Sequence, residues 1–373
     1  EGACNLSAPL FRKGGNSFFS QKGHEAIAEA AVRSGCRFFA GYPITPQNEI
    51  PEYFARRMPE VGGVFVQGES EVASVNMVYG AAQSGTRSMT SSSSCGISLK
   101  SEGISFCASA RIPMVYCNVQ RGGPGIGAIQ PAQQDYLQAT RASGNGGFRM
   151  MVFAPATVQE AVDMTYAAFD YAQRDRNPVL ILADGVLGTI MEPVELPEMR
   201  SDEEIKRLKD ELSDWALVGH SADKKALILP GGWAGQEDRC KRNAAMYDTW
   251  EKDVQVEEFM TEDAELILVA YGVCGRISKS AVRILRTQGY KVGLIRPKTV
   301  SPWPYASFDK LDYSKVKAVL DVEMSIPAQL VLDVTLAVKD RCPVHTCLRS
   351  GGEIMSRDHV VAAAKAILDK EGA

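Results

Sequence analysis

The sequence predicts an α/β protein: a mainly parallel sheet with helices on both faces, followed by a smaller α/β unit. Two observations predict it. Short apolar runs alternate with helix-period stretches from Gly23 to about Pro193, and again from Glu265 onward, the signature of successive β-α-β units. At 373 residues, 45% apolar and 23% charged, the chain also has enough apolar material for two cores.

Gly23 to Gly35 has helical spacing and a glycine stop. Phe38-Phe39-Ala40 reads as a short buried strand, and strand-like runs recur at 64–66, 88–90, 114–119, 151–153 and 179–183. Helical patterns at 71–84, 97–110 and 157–173 separate them. Charge rises at 200–214, followed by Gly231-Gly232 and a polar stretch to Asp253, which reads as a connection carrying an exposed helix. Beyond it, strands are expected at 266–270, 291–295 and 318–322, with helices at 276–287, 326–338 and 358–369. The expected division is an N-terminal extension over 1–20, set aside from the fold argument, a first domain over 21–197, a linker region over 198–262 and a second domain over 263–373.

A formal charge of −4 provides no basic field for nucleic acid or an anionic membrane, so neither is an expected partner. No apolar run approaches the roughly 18 residues of a membrane span, and Glu1 to Phe19 lacks a signal-peptide pattern. The expected location is cytoplasmic. Nine cysteines form an odd, scattered set that fits buried reduced thiols better than disulfides. Cys342 and Cys347 flank His345, but no second cysteine pair completes a metal site, and the absence of Cys-x-x-Cys argues against an iron–sulfur cluster on this chain. Metal ligation by this chain is therefore not expected.

Three segments leave predicted strands: Gly41 to Glu49, Glu69-Ser70-Glu71, and Gln120 to Pro124. Ligands of open α/β sheets bind beyond the carboxyl ends of the strands, so Thr45, Glu71 and Arg121 are candidates for one site. Thr45-Pro46 reads as a helix N-cap with proline at the first helical position. Ser70 reads as a cap, and Glu71, like Glu69, serves either the helix dipole or chemistry. Gly123-x-Gly125-x-x-Ala128 formally matches a dinucleotide fingerprint, but Ile129-Gln130-Pro131 reads as continuing the loop where a helix is needed. A glycine loop approaching a small ligand, with Arg121 as a fork for a carboxylate, is the alternative to a solvated surface arginine. Ser91 to Ser94, Cys95 and Gly96 lead a strand into a helix and supply ligand donors or merely a turn. No nucleophile elbow is present, the four histidines form no triad pattern, and Asp184-Gly185 lacks the asparagine of a metal–diphosphate motif.

Tyr42-Pro43-Ile44-Thr45-Pro46, Ser70-Glu71-x-Ala73-Ser74, Thr90-Ser91-Ser92-Ser93-Ser94-x-Gly96, Gln120-Arg121-Gly122-Gly123-Pro124 and Leu294-Ile295-Arg296-Pro297 together carry a resemblance. The ordered set resembles the α subunit of 2-oxoacid:ferredoxin oxidoreductases over about residues 21–370. It is most similar to the branched-chain (2-oxoisovalerate) type, with 2-oxoglutarate and pyruvate types as near relatives. The resemblance implies that the first domain is the pyrimidine-binding half of a thiamine diphosphate site and the second a transketolase C-terminal-like domain. It also implies a β subunit carrying the diphosphate and Mg²⁺ half-site and a [4Fe-4S] cluster, a γ subunit, and a ferredoxin-like δ subunit or ferredoxin.

By motif position, Glu71 would hydrogen-bond N1′ of the aminopyrimidine, with Tyr42, Pro43, Ile44 and Ser94 lining the cofactor. Thr45 and Arg121 would hold the 2-oxo acid. The implied reaction is oxidative decarboxylation of that acid with coenzyme A to acyl-CoA, CO₂ and reduced ferredoxin. His24 departs from the family pattern, where asparagine is expected. A noncatalytic assembly subunit and an NAD-dependent dehydrogenase are the competing readings.

Overall fold

The computed structural model describes residues 11–13, 16–141, 143–219 and 235–371. Part of the expected extension (1–10 and 14–15) and of the polar linker (220–234, with Gly231-Gly232) lies outside the described residues.

In chain order the first part comprises β1 (Phe11–Lys13), β2 (Asn16–Lys22), α1 (Gly23–Arg33), β3 (Phe38–Gly41), α2 (Glu49–Arg57), β4 (Val64–Gln67), α3 (Glu71–Gln83), β5 (Ser88–Ser92), α4 (Cys95–Ala110), β6 (Met114–Gly122), β7 (Ala128–Pro131), α5 (Tyr136–Thr140), β8 (Met151–Phe153), α6 (Val158–Asp175), β9 (Pro178–Asp184), α7 (Gly185–Thr189) and β10 (Met191–Glu195). Then follow α8 (Asp202–Asp210), α9 (Gln236–Asp248), β11 (Val256–Phe259), β12 (Leu266–Val269), α10 (Gly272–Thr287), β13 (Val292–Pro297), β14 (Thr299–Ser301), α11 (Tyr305–Asp309), β15 (Ala318–Glu323), α12 (Val331–Val338), β16 (Val344–Leu348) and α13 (Arg357–Glu371).

The main sheet runs β14-β8-β9-β6-β5-β3-β4, with β7 paired to β6. All pairs from β8 to β4 are parallel. From β3 the chain steps outward to β4, then returns to β5 on the other side and continues through β6 to β9. That reversal, between β3 and β5, is a topological switch point, where the loops leaving neighbouring strands diverge and open a crevice. A second sheet runs β11-β13-β12-β15-β16, parallel except for β11.

Strand β6 shows how the core follows from sequence. Successive side chains on a strand point to opposite faces. Val115, Cys117 and Val119 join an apolar cluster on one face, with α1 and α6 residues, while Met114 and Tyr116 join a cluster on the other. The latter cluster continues through Val269, Tyr271, Trp303 and Val319 of the second part, so the two sheets share buried apolar surface.

The structure differs from expectation in several places. Residues 16–22, partly inside the region set aside, form β2 and pair antiparallel with β10. Ile129-Gln130-Pro131 is not loop: β7 folds back antiparallel onto β6, because Gly127 takes a left-handed φ of 56° and lies where a Cβ would strike the Gly122 carbonyl at 1.7 Å. Strand β14, from the second part, adds to the edge of the main sheet beside β8. In the linker, α8 is the expected exposed helix, capped by Ser201, while α9 has no buried residue and so shows no apolar stripe to read.

Candidate active site

Four loops at the carboxyl ends of β3, β4, β5 and β6 border the switch-point crevice, and they carry the predicted residues. Ser70 caps α3 by accepting from the Ala73 N–H at 3.1 Å, which places Glu71 at the first helical position. Glu71 is 6% exposed. Its carboxylate faces Gly96 at the start of α4: a Cβ there would lie 2.8 Å from Glu71 Oε1 and 2.1 Å from Ser92 Oγ. Only glycine leaves room for both groups.

Arg121 is buried, which excludes the solvated surface arginine. Its Nη1 donates to the Thr45 carbonyl at 2.7 Å, and its Nη2 to the Ile126 carbonyl at 2.9 Å and the Cys95 thiol at 3.1 Å. The guanidinium thus clasps the β3 loop to the glycine loop, and its Nε–H is left buried without an acceptor. Ser94 takes a left-handed φ of 34°, a costly conformation for a non-glycine residue. Its N–H donates to Asn118 Oδ1, and its hydroxyl donates to Asp135 Oδ2 at 2.5 Å while accepting the Arg121 N–H at 3.0 Å.

Thr45 is corrected as a helix cap. Gln47 N–H bonds the Ile44 carbonyl in a turn, and the Gln47 side chain ties this loop to the Tyr42 carbonyl and Ser91, so the helix starts only at Glu49. Thr45, Tyr42 and Pro43 are exposed on the crevice rim, and Ile44 is half-buried. The crevice therefore has a buried floor of Glu71, Ser94 and Arg121 and an open rim. Asp184 Oδ1 caps α7, and Oδ2 accepts from Val273 N–H. Among the described residues no three His, Cys, Asp or Glu side chains converge as a metal site. His24 is buried against Glu49, with Nδ1 and Oε2 2.5 Å apart.

Three residues were missed. Asp135 is buried and holds Ser94 and Asn118; burial raises its carboxyl above the usual range. Gln47 organises the β3 loop. Lys100 on α4 is fully buried, and burial pushes its ammonium down to about 7 against the pull of Glu71. Lys100 alone left a sequence signal: it stands between Ile97 and Ile104 on the apolar stripe of α4.

The family model described as pyruvate flavodoxin/ferredoxin oxidoreductase, thiamine diphosphate-binding, matches residues 29–252. The chain belongs to this family. Pyruvate:ferredoxin oxidoreductase core domain II matches residues 264–360. The ketoisovalerate oxidoreductase subunit VorB of Methanothermobacter marburgensis is 42% identical over 90% of this chain and 93% of its own length. A solved 2-oxoglutarate:ferredoxin oxidoreductase from Magnetococcus marinus, with 2-oxoglutarate, coenzyme A and succinyl-CoA bound, superposes with a TM-score of 0.81 at 24% identity, over 95% of this chain and 66% of that one. A split-gene transketolase, an inactive β4 tetramer, superposes at 0.58 with 16% identity over 93% and 98% of the two chains.

The fold is thus the thiamine diphosphate-binding α/β type, and the chain is a subunit of a ferredoxin-dependent 2-oxoacid oxidoreductase. For an oxidoreductase of this family, the residues present fit the cofactor's ring half. Glycine at 96 leaves a cradle beside Glu71, and both Ser92 Oγ and Arg121 Nε are buried polar atoms lacking a protein partner.

Proposed function

We propose that this chain is the catalytic α subunit of a hetero-oligomeric oxidoreductase that decarboxylates a branched-chain 2-oxo acid and passes the acyl group to coenzyme A and electrons to ferredoxin. The observation that carries this reading is the buried Glu71 carboxylate, held at a helix start over glycine in the switch-point crevice, with Arg121 on the same floor.

Glu71 would hold the aminopyrimidine through a ring nitrogen, with Tyr42, Pro43 and Ile44 along the ring and Ser94 behind it. When bound, thiamine diphosphate supplies a nucleophilic carbon and an electron sink for decarboxylation. Glu71 moves a proton at the ring nitrogen, a task suited to a carboxyl in a partly dry cleft. Arg121 Nε–H and the Thr45 hydroxyl orient the 2-oxo acid, the arginine facing its carboxylate. Their positions at the ends of different strands keep the acid and the ring in fixed register.

The exposed rim at Tyr42 and Pro43 is where a β subunit with the diphosphate, Mg²⁺ and a [4Fe-4S] cluster would complete the site, with γ and δ subunits or ferredoxin beyond. The eight described cysteines are free thiols, which supports a reducing, cytoplasmic setting. The branched-chain preference rests on the likeness to VorB.

The test is anaerobic. The complex copurifying with this chain is given thiamine diphosphate, coenzyme A and, separately, 2-oxoisovalerate, 2-oxoglutarate or pyruvate, and viologen reduction is followed. Coenzyme A-dependent reduction fastest with 2-oxoisovalerate is expected. Preference for another acid overturns the substrate assignment, and no reduction by a cofactor-loaded complex overturns the catalytic one.

A further inference from the structure

Residues 133–137 stand between the crevice floor and the second part of the chain, and they bond in both directions. Gln133 pairs with Met324: its N–H donates to the Met324 carbonyl at 2.9 Å, and its Oε1 accepts the Met324 N–H at 3.1 Å. The Tyr136 hydroxyl donates to Asp333 Oδ2 at 2.5 Å. Gln329 accepts the Leu137 N–H at 2.9 Å and donates to the Gln134 carbonyl at 2.6 Å. Met324, Gln329 and Asp333 all belong to the second part. Asp135, in the middle of the segment, turns the other way: its Oδ2 accepts from Ser94 Oγ at 2.5 Å and from Asn118 Nδ2 at 3.0 Å.

These bonds converge on the main chain of Arg121. Strand β6 pairs with β5 only as far as Asn118, so at Arg121 that ladder has ended, and the Arg121 N–H donates instead to Ser94 Oγ at 3.0 Å. The Gly123 N–H donates to Gln134 Oε1 at 2.8 Å, so both sides of the Arg121-Gly122 step are held by this segment or by a residue it holds. Ser94 has a left-handed φ of 34°, which persists only where its surroundings fix it, and Asp135 and Asn118 do so. The Arg121 guanidinium itself is tied to the Thr45 and Ile126 carbonyls, both on loops.

We propose that Asp135 is a positioning residue for Arg121, and that the second part of the chain contributes to substrate binding by holding the segment that carries it. This rests on the role proposed above for Arg121. The arginine meets a carboxylate that is present in the bound acid and leaves as CO₂, so displacing it costs binding of the acid more than the chemical step.

Viologen reduction by the purified complex is measured with thiamine diphosphate and coenzyme A saturating and the preferred 2-oxo acid varied. Asp135→Leu keeps the shape of the side chain and removes both acceptors; KM for the acid is expected to rise roughly tenfold or more, with kcat within about threefold of wild type and half-saturation by thiamine diphosphate unchanged. Both bonds end on Oδ2, so Asp135→Asn, whose carbonyl oxygen takes that place, should restore KM to within about threefold of wild type. Gln329→Leu should raise KM in the same direction, by about two- to fivefold. Wild-type KM in Asp135→Leu, a fall in kcat alone, or an asparagine variant as impaired as leucine overturns the proposal, and wild-type KM in Gln329→Leu overturns the share given to the second part. Should Asp135→Leu fail to assemble, Ser94→Ala is measured in its place: raised KM supports the relay and wild-type KM overturns it. Arg121→Met separates the two claims. If it leaves KM unchanged, the substrate role of Arg121 fails; if it raises KM while Asp135→Leu tracks wild type, only the role of Asp135 fails.

Discussion

At the residue scale, the site depends on what glycine omits and what burial does to charge. Gly96→Ala should push a methyl group against Ser92 Oγ and Glu71 Oε1 and displace the carboxylate. A shift near 1 Å at a positioned group costs roughly 100-fold in turnover. Viologen reduction by the variant complex, with circular dichroism to confirm folding, checks this; wild-type turnover would contradict it. Lys100 makes a separate prediction for stability. Its folded value, about 7, lies below the ordinary 10.5, so the unfolded chain binds more protons between those values and stability rises with pH across that window. Lys100→Met should remove this rise and gain on the order of 3–5 kcal/mol at pH 7, measured by denaturant unfolding at pH 7 and 10. Sequence patterning located Glu71 and Arg121 because both leave strands at the crevice. It could not locate Asp135, whose partners Ser94 and Asn118 are 41 and 17 residues away in sequence. Thr45 was misread because its proline signal resembles a helix start, and only Gln47's contacts with Tyr42 and Ser91 show that the loop continues.

At the element scale, the Leu294 to Pro297 motif joins the two parts of the chain and is not part of the site. Arg296 on β13 is buried and donates to both Glu160 oxygens, at 2.6 and 2.9 Å, and to Glu257 at 2.7 Å. Burial alone would raise the Glu160 carboxyl, but the bonds to Arg296 outweigh it and hold it down at about 2. A depressed carboxyl contributes stability that is present above its unfolded value of 4.5 and lost as pH falls toward 2. Arg296→Met should cost roughly 2–3 kcal/mol at neutral pH by removing the charge-assisted bonds to half-buried Glu160, which keeps Lys298 at 3.1 Å as its remaining cation. The loss should narrow below about pH 4 in urea unfolding; an equal loss at pH 3 and 7 would contradict it. The parallel strands β6, β9, β12, β13 and β15 were legible because their apolar runs are buried on both faces, whereas the half-buried parallel strand β16 was not. The short antiparallel partners β7, β10 and β14 were not, since three to five residues of mixed polarity carry no period of their own.

At the scale of the whole molecule, strand order explains why distant motifs act together. Segments following β3, β4, β5 and β6 meet because the chain reverses direction between β3 and β5, and no spacing rule in the sequence states that reversal. Among the described residues, eight cysteines are free and no helix is long and apolar enough to cross a membrane. The floor of the crevice is built by this chain, whereas the rim at Tyr42, Pro43 and Thr45 is open. Chemistry is therefore expected to fail when the floor is altered, even if subunit assembly is intact. The most direct measurement is CO₂ release from 2-oxoisovalerate by the purified complex carrying Glu71→Gln, with subunit composition checked by size-exclusion chromatography. An assembled complex whose decarboxylation falls at least roughly 100-fold is the predicted result; near-normal CO₂ release from that complex would contradict the account.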